Sequence, residues 1–287
     1  MQYTSTKTLS KPSLWAFRSV VWEMATREFR TRYAGSALGA VWSLIHPISL
    51  ILIFTLVFSK VMGARLQVGS EPAPGSYAHA IWSLAHTYGY AIYLCSGLFP
   101  WTAFTEAAQR SATAFFDNRN LIQKLRFPVE APVAWISTFS LLNGLLTLGL
   151  LVILVLVTAQ RLALSFLLLP VILGLLQVWA FGLGLMLAAL TVFFRDLAQI
   201  VAILFQLWFW MTPIVYVQSL LGEKSPFLAI QKANPMFHIM QALRAIVMEG
   251  AWPAWSDLGI LVGMSAISMT LGYAVVGRLR ADIPDEI

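Results

Sequence analysis

Cysteine is almost missing from this chain, with Cys95 the single one in 287 residues. One thiol excludes an internal disulfide and offers no cysteine cluster to a metal. Charge is scarce too, at 11% of residues against about 25% in an ordinary soluble domain. With 59% hydrophobic residues and a mean hydropathy of +0.74, a water-soluble fold would lack the polar groups to cover its surface. Lipid is therefore the solvent for much of the chain. Phosphate-binding and nucleophile motifs are missing as well. No Gly-x-x-x-x-Gly-Lys-Ser/Thr occurs, and Gly222-Glu223-Lys224-Ser225 runs in the wrong order, so no P-loop holds ATP here. Neither His-Glu-x-x-His nor Gly-x-Ser-x-Gly is present, which removes the zinc-protease and hydrolase signatures. His46, His79, His86 and His238 are scattered, and no metal site is expected from them. Residues 1–13 are polar, without the apolar core of a cleavable signal peptide.

What is there is a series of apolar runs. A bilayer core about 30 Å thick takes about 20 residues of helix. The runs over 38–59, 92–115, 133–158, 164–194, 197–217 and 258–277 predict six membrane-spanning helices in an all-α polytopic chain. The fourth is too long for one upright crossing, so it tilts or breaks, with Pro170 the natural place. With the N-terminus inside, the outer segments hold only Lys60, Arg65, Arg161, Lys224, Lys232 and Arg244 of the 19 Lys and Arg. That bias puts both termini in the cytoplasm. The basic balance, +6 overall, then reflects topology and anionic headgroups. It forms no stripe or module for nucleic acid.

Four segments are not simple spans. Residues 14–33 read as an amphipathic interface helix, with Phe17, Val21, Ala25, Phe29 and Tyr33 repeating at i+4. Arg27 and Arg30 lie off that stripe, while Arg18, Glu28 and Arg32 intrude on its edge. Residues 60–91 form a long outer loop that contains Glu71-Pro72-Ala73-Pro74-Gly75, which cannot be helical. Residues 116–128 form a charged cytoplasmic segment closed by Pro128. Residues 218–253 are half apolar and broken by Pro226, Pro235 and Pro253. They read as short helices dipping into the outer leaflet, shielded there by protein.

The spans themselves carry almost no ionisable groups. Glu106, Glu130 and Asp257 all lie towards membrane edges, and only His46 sits within an apolar run, beside Pro47. A proton-driven carrier would keep such groups inside the bilayer. A membrane glycosyl- or acyltransferase would need convergent acid, base or nucleophile. Glu106 with Glu130, or His79 with His86, are the thin candidates for that reading.

Several motifs carry a family likeness. They are Arg30-Thr31-Arg32-Tyr33-Ala34-Gly35-Ser36-Ala37-Leu38-Gly39-Ala40-Val41-Trp42 with His46-Pro47, then Gly97-Leu98-Phe99-Pro100-Trp101. Asn120-Leu121-Ile122-Gln123-Lys124-Leu125-Arg126-Phe127-Pro128, Phe193-Phe194-Arg195-Asp196-Leu197, Thr212-Pro213-Ile214 and Asn234-Pro235-Met236 follow. In this order the chain resembles the membrane subunit of ABC transporters that export cell-surface polysaccharides such as O-antigen, capsule or teichoic acid. The long 60–91 loop departs from the family pattern.

The resemblance implies a bacterial inner-membrane permease that is not itself an enzyme. It implies a homodimer docked on a separate ABC ATPase, moving a lipid-linked polysaccharide. ATP and Mg would be bound by the partner, and no cofactor by this chain. Motion from the ATPase must enter through cytoplasmic protein. The candidates to receive it are Arg27, Arg30 and Arg32 on the amphipathic helix, with Asp117, Arg119, Asn120, Lys124, Arg126 and Phe127 in the charged segment. Arg195 and Asp196 are placed to pair with neighbouring cytoplasmic elements. For the substrate, 13% aromatic residues include 11 Trp. Trp82, Tyr88, Tyr90, Trp252 and Trp255 suit membrane interfaces. Trp42, Trp101, Trp208, Trp210 and Tyr216 are the candidates for a sugar conduit. Gly35-x-x-x-Gly39, Gly182 and Gly184 are sites for close helix packing. The same architecture exporting drugs or lipids is the alternative reading, since a fold does not decide its substrate.

Overall fold

A computed structural model describes residues 14–32, 41–54, 56–57, 89–124, 128–159, 162–216 and 226–287. Every regular element among them is helical. A 3-10 turn, Leu14–Phe17, leads into α1, Arg18–Arg32. Helix α2 spans Trp42–Phe54 and α3 spans Gly89–Ala112. Two short pieces follow, α4 over Ala114–Asp117 and α5 over Arg119–Lys124. Helix α6 spans Ala131–Ala159. A second 3-10 turn, Leu164–Leu168, opens α7, Leu169–Phe193. Then come α8, Leu197–Met211, α9, Pro226–Ala233, and α10, Pro235–Glu249. Helix α11 spans Trp255–Leu279, and α12, Ile283–Glu286, follows it.

Among the described residues, three stretches are long and apolar enough to cross a bilayer: Ala131–Val157, Leu164–Phe193 and Trp255–Leu279. Their outward faces are apolar, as Ile153, Val157, Leu167, Val171 and Ile267 illustrate. Such a surface is stable only against lipid or protein. Helix α3 has 24 residues, about 36 Å at 1.5 Å per residue, but carries Glu106 and Arg110 in its last two turns.

The fifth run does not continue to 217. Helix α8 stops at Met211 after 15 residues, about 22 Å of helix. Thr212 adopts extended backbone, φ −96° and ψ 131°, because the ring of Pro213 disfavours the helical region for the residue before it. The fourth run changes from 3-10 to α at Leu169, so Pro170 lies in the first α-turn, where its missing N–H goes unmissed. Of the first run, Trp42–Phe54 is described as helix, whereas Tyr33, Gly35 and Gly39 lie outside the described residues. So do 60–88 of the outer loop, with His79 and His86, and also Arg126, Phe127 and 217–225. The rest of 218–253 is helical over Pro226–Ala233 and Pro235–Glu249. Pro235 opens α10, the Asn234 side chain accepts from the Met236 N–H at 3.0 Å, and Gly250 ends the helix at φ 65°.

Helix α7 lies at the centre, packed on α3, α6 and α11. Its crossing with α11 brings backbone against backbone. A Cβ on Gly182 would sit 2.5 Å from the Met269 N atom, and one on Gly272 would sit 2.3 Å from the Gly182 carbonyl. Ser265 and Ser268 donate across this seam to the carbonyls of Leu175 (2.9 Å) and Trp179 (2.6 Å). Gly184 faces Ser111 of α3 in the same way. Buried side chains form two clusters. The larger joins α3, α7, α8 and α10. The smaller gathers Ala25, Phe115, Phe139, Leu185, Val276 and Ile283 at the end where α1, α4, α5 and α12 meet.

Candidate functional site

The amphipathic stripe of α1 packs against protein. Ala25 is fully buried, Val21 and Phe29 join the smaller cluster, and the Phe29 ring lies 5.9 Å from that of Phe139 on α6. Two of the three charges that interrupt this stripe, Glu28 and Arg32, are one helical turn apart. They face Arg110 and Glu106, also one turn apart on α3. Glu28 pairs with Arg110, and Arg32 Nη1 donates to Glu106 Oε1 at 2.8 Å. Arg110 Nη1 also lies 3.6 Å from Glu106 Oε1. Both guanidinium groups sit over the Phe139 ring, at 5.1 and 5.0 Å, and Asn143 of α6 donates to Glu106 Oε2 at 3.3 Å. The side chains are only 19–43% exposed. Partial burial makes this ladder worth more than a surface ion pair. It fastens α1 to α3 and α6.

Beside the ladder lies a cleft of about 360 Å³, lined by Arg27, Glu28 and Thr31 of α1, by Asp117 and Asn118, and by Trp135 of α6. The structure thus brings Arg27 and Asp117, candidates from two distant segments, onto one cleft. Thr113 donates to Asp117 at 2.8 Å. Arg30, Arg119 and Asn120 are exposed. Gln123 of α5 donates to the carbonyls of Pro284 (3.2 Å) and Ile287 (2.8 Å), and Arg195 stacks 5.9 Å over Phe116 of α4. The charged segment is therefore tied to α12 and to the α7–α8 corner. Lys124 ends α5, with its side chain outside the described residues.

The aromatic candidates separate into three settings. Trp101 is 5% exposed and meets Trp208 edge-on at 5.5 Å, within a cluster that includes Phe104, Trp179 and Phe205. Trp208 also donates to Asn234 at 2.9 Å, and Asn234 donates to Thr212 at 2.8 Å. Trp42 and Trp210 face outward, 46% and 56% exposed. Tyr216 donates to the Trp210 carbonyl (3.2 Å) and accepts from Gln231 (2.9 Å). A polymer reaching Trp101 or Trp208 would have to open a packed core.

Two residues had no role assigned by the sequence. Arg244, read there as an outer-loop charge, is 7% exposed. Its Nη2 donates to the Pro213 carbonyl at 2.6 Å and to that of Ile214 at 3.4 Å, and its guanidinium lies 3.7 Å from the Tyr93 ring centre. Tyr93 and Tyr90 donate to the carbonyls of Tyr216 and Val215. Together they satisfy the non-helical backbone after α8, which would be costly if left bare within a membrane. The available signal was its place four residues after Met240, on the buried stripe of α10. His238 bridges Asp257 at 2.8 Å and the Lys232 carbonyl at 2.9 Å, joining α9, α10 and α11.

Among the described residues, the two acidic candidates are engaged separately. Glu106 serves the α1 ladder, and Glu130 pairs separately with Arg280 at 3.5 Å. Among the described residues no group of His, Cys, Asp and Glu is arranged to hold a metal. The family model for ABC-2 type transporters matches residues 19–248. The chain is 30% identical over 261 residues to the O-antigen export system permease protein RfbA of Myxococcus xanthus, covering 91% of each chain. It is 27% identical to RfbA of Klebsiella pneumoniae, covering 90% of each. To the polysialic acid transport protein KpsM of Escherichia coli it is 22% identical, covering 87% of this chain and 89% of that one. The matched residues make up most of its length, and the chain belongs to the ABC-2 type transporter family.

Proposed function

We propose that the chain is the membrane permease of an exporter for a lipid-linked cell-surface polysaccharide, working as a homodimer with a separate ABC ATPase in the bacterial inner membrane. Its relatives named for O-antigen and polysialic acid support the substrate class. In this reading six crossings, built on the runs 38–59, 92–115, 133–158, 164–194, 197–217 and 258–277, leave both termini in the cytoplasm. Helices α9 and α10 stand at the outer side. The fifth crossing uses the short α8 together with the Thr212–Tyr216 turn that Arg244 supports. The closed aromatic core in the middle of one copy favours a passage between two copies.

The observation that carries the mechanism is the α1 ladder. A force applied to α1 or to the Asp117 cleft passes directly into α3 and α6, because Glu28–Arg110 and Arg32–Glu106 leave α1 little freedom to move alone. The ATPase, holding ATP and Mg, would bear on Arg27, Arg30, Asp117, Arg119 and Asn120, and by their place in the sequence Lys124, Arg126 and Phe127 are candidates for the same contact. Lys124→Glu and Arg126→Glu should leave insertion intact but uncouple transport. The test is deletion of this chain with fractionation of the cell's glycans. Finished lipid-linked polymer retained inside supports the proposal. An unfinished precursor supports a transferase instead, and unchanged surface glycan removes the substrate assignment.

A further inference from the structure

A second cavity, about 330 Å³, lies beyond the ladder between α1, α2, α3 and α6. Its volume falls in the lower part of the range for small-molecule sites, about 300–1,000 Å³. Trp42 and His46 line it from α2, Phe99, Thr102 and Glu106 from α3, and Asn143 and Thr147 from α6. Each set follows helical spacing, so three helices each turn one face towards the same space.

The polar lining is rich in acceptors. Thr102 donates its hydroxyl hydrogen to the Phe99 carbonyl at 2.9 Å, and Thr147 donates to Gly144 at 3.0 Å. Each hydroxyl therefore has only lone pairs left to offer. The Glu106 carboxylate accepts, while Asn143 gives one Nδ2 hydrogen to it and keeps its amide oxygen and a second N–H. Such a lining, acceptors from Thr102, Thr147, Glu106 and Asn143 with N–H groups of Asn143 and Arg32 beside them, matches a ligand whose hydroxyls both donate and accept. Net charge agrees. Arg32 is bound to Glu106, so neither a free cation nor a free anion awaits a charged group. Trp42, about half exposed, adds a flat ring against which the C–H face of a sugar can lie.

We infer that this cavity binds a glycosyl unit of the transported polymer, with Thr102, Asn143, Thr147 and Glu106 accepting its hydroxyls and Trp42 covering one ring face. The inference rests on the proposed polysaccharide substrate and specifies where that substrate touches the chain. Because Arg32 and Glu106 belong both to the cavity wall and to the α1 ladder, a bound sugar lies directly beside the element proposed to receive the motor's force.

The test uses the full chain in cells that carry its ATPase and native glycan. A benzophenone amino acid replaces Thr102, and in a second strain replaces Val157, which is 71% exposed on the outer face of α6. Irradiation should attach periodate-staining glycan at position 102 and none at 157. Thr102→Val with Asn143→Leu should lower surface glycan about tenfold, as expected when binding loses one to two hydrogen bonds. Val157→Ala, on the exposed face of α6 away from the cavity, should export normally and controls for handling and expression. Phospholipid alone captured at 102, or normal export by the double variant, overturns the cavity assignment. Surface glycan unaffected by deletion of the whole chain would instead overturn the substrate reading, which separates the two failures.

Discussion

Arg244→Met gives the sharpest test of how the outer half of the structure is held. Methionine keeps the aliphatic bulk but loses the bonds to the carbonyls of Pro213 and Ile214 and the contact with the Tyr93 ring. A charge-assisted hydrogen bond is worth about 1.5–3 kcal/mol, and a desolvated cation–π contact about 2 kcal/mol. Against this, removing a buried guanidinium also removes its desolvation cost, several kcal/mol. The carbonyls left behind then lack a donor, at about 1–3 kcal/mol for each buried group. The net expectation is a loss of about 2–4 kcal/mol, in the range of broken buried networks. For a chain of this size that lowers the Tm by about 3–7 °C. Arg244→Lys keeps the charge without the planar fork and should lie between the two. Thermal unfolding of the detergent-solubilised protein, followed by circular dichroism, reads the effect. An unchanged Tm for Arg244→Met would refute the claim that this residue supports the turn after α8.

Three further outcomes are expected. Arg32→Glu or Glu106→Arg alone should release α1 and stop export, whereas the double exchange should restore much of both, measured by protease protection of α1 and by surface glycan. Failure of the double variant to recover either would separate the ladder from coupling. Gly182→Ala should destabilise by about 2–3 kcal/mol through overpacking, because the added carbon meets Ser268 and Met269 of α11. Gly259→Ala, which meets nothing within 4 Å, should be neutral or stabilising by up to about 1 kcal/mol; denaturant titration distinguishes them. His238→Ala should cost about 1–3 kcal/mol and speed protease cleavage between α9 and α11, since it removes the bonds to Asp257 and Lys232.

Much of this arrangement is legible in the residues, for identifiable reasons. Period and hydropathy locate α3, α6, α7 and α11, because long apolar helices leave strong signals. Proline marks the starts of α9 and α10 and the end of α8, though the apolar content of 212–217 hides that end. The amphipathic stripe of α1 is visible as well. Two of its intruding charges, Glu28 and Arg32, appear in sequence as flaws in the stripe and in space as the ladder to Arg110 and Glu106. Their partners lie more than 70 residues away, and local pattern carries no information at that range. Arg244 was hidden for a different reason: counting charges by loop assigns it to a topology, while burial assigns it to a backbone turn. Gly182 stands out in sequence as a packing site, but its partner Gly272 becomes evident only when α7 and α11 cross. The aromatic residues show the reverse limitation. Composition groups Trp42, Trp101, Trp208 and Trp210 together, whereas packing places two in a closed core and two outside it.

The central claim is that ATP-driven force enters through α1 and the Asp117 cleft to move a polysaccharide. It is tested most directly in proteoliposomes holding the purified permease, its ATPase and the cell's lipid-linked glycan, with ATP supplied on the ATPase side. Glycan appearing across the bilayer for the native chain, with ATP hydrolysed but no glycan moved for Arg32→Glu, is the expected result. Equal transport by the two proteins would contradict the account.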